Sequence, residues 1–307
     1  MTDTAESLLT TAAASPPRID VIIRTLAEAR RADSLRRAIR SIRNQQGVTA
    51  RPIVVVNGDR FDPVLVTELR AMPEIRLVRI PGGLRDSMLE GRRLVDAPFF
   101  AFLDDDDVLL PGGLAARLGP LLADPTVDLS VGNGWEVGHG RRVMAIPDMP
   151  AVRSDPLNAL LSANWLHNCA GTFRAAAFPL SWLDDLIDEY EWTWIAFKSA
   201  GEGRRIAFVD AMTFLYTADS PGSASKQERW MRWEDRLYGH LRDLPLPAPV
   251  HAALRRRHGA ALHALSDLFR RRGALGLAWR YHLCSLMKPG GVRYLAYSRR
   301  LLLPTAG

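Results

Sequence analysis

Four consecutive carboxylates, Asp104, Asp105, Asp106 and Asp107, follow directly on the apolar run Pro98-Phe99-Phe100-Ala101-Phe102-Leu103. Carboxylates packed this closely repel one another in a partly dry site, so they need either full hydration or a positive partner. Oxygen ligands of this kind suit Mg2+ or Mn2+, and such a cation bridges naturally to phosphate. The apolar run has the length of a buried central parallel strand. In open α/β sheets, ligands bind just outside the carboxyl ends of the strands. The juncture therefore reads as a strand end that presents a cation and a phosphorylated ligand. The plain alternative is a solvated acidic turn ahead of a helix starting near Pro111.

The elements before this strand alternate β with α. Ile19-Asp20-Val21-Ile22-Ile23 reads as a first strand. Leu35, Ala38, Ile39 and Ile42 then recur at helical spacing behind a cap at Asp33 or Ser34. Pro52 to Val56 is a second buried strand, closed by the turn signal Asn57-Gly58. Asp62-Pro63 supplies a cap and a first-turn proline for the next helix. Ile75 to Ile80 is a third strand, followed by Pro81-Gly82-Gly83 and a helix reaching about Val95. The alternation predicts an α/β fold with a mostly parallel, Rossmann-like sheet and helices on both faces.

Beyond Pro111 the pattern changes. Val127 to Gly132 reads as a strand, and Trp135 to Val137 with Arg141 to Ala145 flank Gly138-His139-Gly140 as a hairpin. Asp155-Pro156 starts a short helix. A helix within Leu180 to Ala200 is expected to carry Asp184, Asp185, Asp188, Glu189 and Glu191. Arg205 to Val209 and Met212 to Tyr216 read as two closing strands. The chain divides into a small, polar segment 1–17 expected to be disordered, a domain over 18–225, and a helical extension over 226–307. Prolines 245, 247 and 249 and the run Pro289-Gly290-Gly291 interrupt the extension.

Composition excludes several classes. No run approaches the roughly 18 apolar residues of a membrane span, and the first residues lack a signal-peptide pattern. Cys169 and Cys284 are too few for a disulfide framework or a zinc cluster, which fits a reducing cytoplasm. From His251 onward there are eleven basic residues against one acid, Asp267, so the tail carries +10 and the rest −4 of the net +6. Such a tail is compatible with peripheral contact to anionic membrane or with homodimer formation. An arginine-rich helical cap with no partner is the plainer reading, and nucleic acid is not expected as a partner.

The order of these motifs resembles the family 2 glycosyltransferases of the GT-A fold over residues of about 18–225. The segments that carry the resemblance are Val21-Ile22-Ile23-Arg24-Thr25, Ile53-Val54-Val55-Val56-Asn57-Gly58, Phe102-Leu103-Asp104-Asp105-Asp106-Asp107, and Gly171-Thr172-Phe173-Arg174 with the acidic stretch after it and Pro221-Gly222-Ser223. The resemblance implies an inverting, metal-dependent transfer of a sugar from a nucleotide-diphosphate donor, UDP or dTDP, to an acceptor hydroxyl. It implies donor contacts at Thr25, Leu26, Gly83, Asp104 and Asp105; where the chain departs from the family, Asn57 or Asp59 could take over the base-reading hydrogen bond and Arg85 or Arg92 could pair with the diphosphate. Asp104 and Asp106 match the family's metal-binding pair, and Asp219, an acceptable oxygen ligand, stands near the position where the family often has a metal-ligating histidine. Glu189 matches the general base, within the pair Asp188-Glu189, with Asp185 as the substitute. The acceptor remains open among a natural product, a glycan, a lipid-linked intermediate and a peptide.

Aromatic faces stack well on sugar rings, and Trp165 is the aromatic expected to meet the acceptor. Departures from the family pattern fall at Arg24-Thr25-Leu26, at Val56 where a base-reading aspartate is usual, and at Ser87-Met88-Leu89. They leave two competing readings. Asp104-x-Asp106 also resembles the nucleophile motif of haloacid-dehalogenase-type phosphatases, although three strands precede it here. A degenerate, non-catalytic scaffold that binds membrane or a partner through the basic tail is the other.

Overall fold

The structure, a computed structural model, describes residues 15–218 and 227–302. Most of the segment 1–17, together with Asp219 and Pro221-Gly222-Ser223, lies outside the described residues. Strand and helix alternate through β1 (Arg18–Thr25), α1 (Ala32–Arg43), β2 (Thr49–Asn57), α2 (Pro63–Arg70), β3 (Arg76–Ile80), α3 (Leu84–Arg93) and β4 (Phe99–Asp104). Next come β5 (Val108–Leu109), α4 (Gly113–Ala123), the hairpin β6 (Leu129–Gly138) and β7 (Arg141–Met144), α5 (Met149–Ser154) and α6 (Pro156–Ala159). β8 (Gly171–Arg174), α7 (Glu191–Gly201) and β9 (Ile206–Thr217) follow, and then the helices α8 (Gln227–Leu241), α9 (Ala248–Arg271), α10 (Leu275–Leu286) and α11 (Ser298–Leu302), with a 3-10 segment at Gly291–Tyr297.

All nine strands share one sheet in the order β3-β2-β1-β4-β8-β6-β9-β5, with β7 on β6. The half β3-β2-β1-β4 is wholly parallel, and the pairings beyond β4 are mixed. β1 is exposed only at Arg18 because it lies between β2 and β4 and is covered on both faces, as an apolar run without polar alternation requires. Its register sets Arg24 beside Asp104 and Thr25 beside Val56, so the carboxyl ends of three strands fall in one row. α3 lies so close on β1 that a Cβ at Gly91 would stand 2.4 Å from Ile22 Cγ2, which makes glycine the residue that admits this packing.

Local signals held where they were strong. Asp62 caps α2 by accepting from Val64 N–H, with Pro63 in the first turn, and Asp155 caps α6 with Pro156 in the same role. The hairpin turns through His139 and Gly140, both in the left-handed region. Three expectations are corrected. α1 is not capped by Asp33 or Ser34, because a 3-10 turn over Ala29–Arg31 runs straight into it. The two closing strands are one strand, β9, irregular where it passes β6 at Gly132 to Gly134. The acidic stretch is not helical until Glu191: a 3-10 turn covers Leu180–Leu183, and Asp184 to Glu189 form a loop.

The main core runs unbroken from the sheet into the C-terminal helices through Leu237, Leu241, Leu244, Leu246, Val250 and Leu254. A second, small cluster of Leu265, Phe269, Ala278 and Leu301 ties the end of α9 to α10 and α11. No helix among the described residues is long and apolar enough to cross a membrane.

Candidate active site

The row of strand ends opens into a cavity of about 940 Å3. Its floor holds Arg24, Thr25, Leu26, Asn57, Asp104, Asp105 and Asp106. Glu189 and Glu191 stand on one side, and α8 closes it with Arg229, Trp230, Glu234 and Tyr238.

The four aspartates do different things. Thr25 donates its hydroxyl hydrogen to Asp105 Oδ2 at 2.5 Å, and Ala27 N–H donates to Thr25 Oγ1 at 2.8 Å. Arg31 bridges Asp105 and Asp106 at 2.6 Å each. Asp105 is thus buried and tied to the β1–α1 connection, and burial pushes its pKa up to about 6 against the pull of Arg31. Asp104 is partly open and accepts from Arg24 Nη2 at 2.9 Å. Asp107 is fully buried: Asn168 Nδ2 donates to it at 2.6 Å and Thr217 N–H at 2.8 Å. Burial raises its pKa well above the ordinary carboxylate range. Its position is explained by these bonds, which anchor the end of β9 and the Asn168 loop beneath the site.

Asp104, Asp106 and Asp107 offer carboxylate oxygens that all lie within 4.8 Å of one another. Arg24 and Arg31 bring two positive charges to four carboxylates, and the pKa values of Asp105 and Asp107 stay raised by burial. A cluster of hard oxygen donors still short of positive charge fits a divalent cation of the Mg2+ or Mn2+ type.

Arg24 was legible only as a departure in the first motif, yet it is central. Its side chain is buried, it lies near Asp104 and Glu191, and its Nε and Nη1 have no hydrogen-bond partner. Glu191 is 5% exposed, its Oε1 is likewise unpartnered, and burial lifts its pKa to about 7. Buried polar atoms left open beside a cavity are the atoms a bound ligand satisfies.

Glu189 sits two residues earlier, in the loop before α7, at φ +68°. A side chain in the left-handed region costs on the order of 1–3 kcal/mol and persists where the surrounding structure over-determines it, as at turns and functional sites. Arg229 of α8 holds its carboxylate at 3.1 Å. Burial raises the Glu189 pKa while Arg229 lowers it.

Of the residues singled out in the sequence, Thr25, Leu26, Asn57, Asp104, Asp105, Asp106 and Glu189 line the cavity. Asp59, Gly83 and Asp185 are exposed and do not line it, nor does the half-buried Asp188. Arg85 is also outside: its Nε donates to Leu183 O at 3.2 Å and pins the loop before α7. Asp219 lies outside the described residues. Trp165 cannot stack on an acceptor, because it is 1% exposed, its indole N–H donates to Pro156 O at 2.8 Å, and Phe208 packs its ring. Of the Trp, Tyr and Phe residues that line the cavity, Trp230 is the most exposed, at 39%, with its ring 4.5 Å from that of Tyr190. Val56 and Met88 are buried in the core. Asn57, at the end of β2, reaches the cavity in place of Val56.

The family model described as "Glycosyl transferase family 2" matches residues 20–182, more than half of the chain. The chain belongs to this family. It is a glycosyltransferase, and the phosphatase reading of the aspartates falls away. Among solved structures, S. aureus TarS 1–349 in complex with UDP-GlcNAc is similar over 84% of this chain and 75% of that one, at 14% identity and a TM-score of 0.54. The same protein in complex with UDP matches over 84% and 74%, at 14% identity and 0.53. A longer TarS structure matches over 82% of this chain and 49% of its own length, at 15% identity and 0.52. At such identities the likeness is one of fold, here the GT-A type. No curated protein sequence matches the chain.

Proposed function

We propose that this glycosyltransferase moves a sugar from a nucleotide-diphosphate donor, carrying UDP or dTDP, to an acceptor hydroxyl with inversion at the anomeric carbon. The observation that carries the reading is the convergence of Thr25, Asn57 and Asp104, from three parallel strand ends, on one cavity that also holds Glu189. The nucleotide lies over Thr25, Leu26 and Asn57. Asp104 and Asp106 hold Mn2+ or Mg2+, which when bound neutralises charge on the departing diphosphate. Arg24 and Glu191 meet the donor with their open polar atoms. Glu189 takes the proton of the acceptor hydroxyl as its oxygen bonds to the anomeric carbon and the bond to the diphosphate oxygen breaks. Glu191 interacts with Arg24 and Asp104 on the donor side, whereas Glu189 pairs with α8, and this division favours Glu189 as the base. We take 18–225 as the transferase domain and 226–307 as an extension that completes its acceptor side. That UDP-GlcNAc and UDP are bound in the TarS structures supports a uridine donor.

Thermal stability with UDP, dTDP, GDP, ADP and CDP, each with and without Mn2+ or Mg2+, tests the donor class. UDP or dTDP at 100 times its dissociation constant is expected to add about 2.7 kcal/mol, with the cation required. A chain that responds to none of the five overturns the donor reading. On the acceptor side, Trp230→Ala removes the most exposed aromatic ring of the cavity. It is expected to raise the acceptor KM about tenfold while leaving the nucleotide shift unchanged, since stacking contacts of this size contribute about 1 kcal/mol or more.

A further inference from the structure

The C-terminal helices carry a surface that the transfer reaction does not use. α10 buries Ala278, His282 and Ser285 and turns Arg280, Leu283 and Met287 outward at i, i+3 and i+7, one face of a helix. The 3-10 segment that follows sets Val292 and Leu295 outward at i and i+3, where side chains in this helix type line up. Met287 is 77% exposed, Val292 79%, Leu295 61% and Leu283 53%. Monomeric proteins seldom present so many large apolar side chains over so short a stretch.

The charge along this stretch of the sequence is of one sign. From Leu268 to Leu302 there is no acidic residue, against seven arginines and one lysine. Arg280, Arg293, Arg299 and Arg300 are exposed among the apolar side chains. α10, the 3-10 segment and α11 contact one another, so these residues belong to one corner of the molecule. The one carboxylate among the described residues of this corner, Asp267, is held by Arg270, Arg271 and the Tyr297 hydroxyl, so apolar side chains that can enter an acyl boundary stand among exposed guanidiniums and complement an anionic bilayer surface.

The corner also adjoins the site. α9 and α10 pack as a pair, with Gly259 of α9 so near Lys288 that an added Cβ would lie 2.9 Å from the Lys288 Cβ. Arg257, two residues before Gly259, lines the cavity from the other side of α9, and Met231 of α8, next to the cavity-lining Trp230, packs against the cluster of Leu265, Phe269, Ala278 and Leu301 that underlies the corner. We propose that this corner of α10, the 3-10 segment and α11 docks the enzyme on an anionic lipid bilayer, which brings the acceptor side of the cavity to the membrane surface.

The test is co-sedimentation of the full chain with vesicles of phosphatidylcholine alone and of phosphatidylcholine mixed with phosphatidylglycerol, at low and high salt. Binding is expected only with the anionic vesicles and should fall as salt rises. Reversing Arg293, Arg299 and Arg300 to Glu together is expected to lower the partition coefficient roughly 100-fold or more. Val292→Glu with Leu295→Glu should abolish binding, and both variants should melt as the wild type does, since every changed side chain is exposed. Absence of binding to anionic vesicles at low salt overturns the proposal, as does equal binding to neutral ones or binding undiminished in both variants. Sedimentation velocity covers the other occupant: self-association lost in the same variants, without any vesicle binding, would make the corner an interface between copies of the chain. Because the readout is vesicle binding, its result is independent of which donor the site takes.

Discussion

Glu189→Gln is expected to lower turnover by about 10²- to 10⁴-fold, the usual contribution of a positioned general base, while leaving the nucleotide-induced stabilisation intact. The exchange keeps the size of the side chain and removes its ability to take a proton. Donor binding is spared under the proposed assignment, in which the donor meets Arg24, Thr25, Asn57 and the aspartates rather than Glu189. The pH profile provides a second readout. Burial raises the Glu189 pKa, so the wild-type rate should fall on the acid side at a pH above the ordinary glutamate range, as the base takes up its proton. Arg229 opposes that shift. Arg229→Ala should therefore move the acid limb to still higher pH, and in Glu189→Gln the limb should vanish along with the rate. If Glu191→Gln loses the rate while Glu189→Gln retains it, the base is Glu191, whose pKa of about 7 also suits the task.

Asp106→Ala is the second large effect. Asp106 is partly open, and its carboxylate pairs with Arg31, which Asp105 continues to hold when Asp106 is removed. Its loss should remove the cation-dependent part of the nucleotide stabilisation, about 2.7 kcal/mol at 100 times the dissociation constant, and with it measurable turnover. The melting temperature without nucleotide should change little. Asp107 contrasts with it. Both of its oxygens accept buried N–H groups, and an asparagine can accept at only one of them. Asp107→Asn should thus destabilise the free protein by about 1–3 kcal/mol, the cost of a stranded buried polar group. A nucleotide shift that survives Asp106→Ala at full size would remove this residue from the cation site.

Much of the first half of the fold was legible because its signals are local. An all-apolar run of strand length, a helix face at Leu35, Ala38, Ile39 and Ile42, and the Asp62-Pro63 start each act within a few residues. The second half was harder. The stretch from Leu180 to Glu189 contains acidic and apolar residues at helical spacing, yet it is held as a loop by contacts from afar, such as Arg85 to Leu183 O. β9 looked like two strands because Asp210 and Ala211 interrupt its apolar run, while the irregular register against β6 carries the chain through.

The sequence by itself determined the α/β order, the family, and the strand end at which the carboxylates cluster, because a strand's burial and the charge that follows it are written in consecutive residues. Even the basic tail is a property of composition. Only the tertiary structure decided which polar residues share the site. Arg31 reaches Asp105 and Asp106 across more than seventy positions, and Trp230 and Arg229 arrive from a helix beyond the sheet. The same folding buried Trp165 and left Asp59, Arg85 and Asp185 outside. Side-chain type states what a residue can do, but its access to a ligand depends on which distant elements pack against it, and no local spacing encodes that.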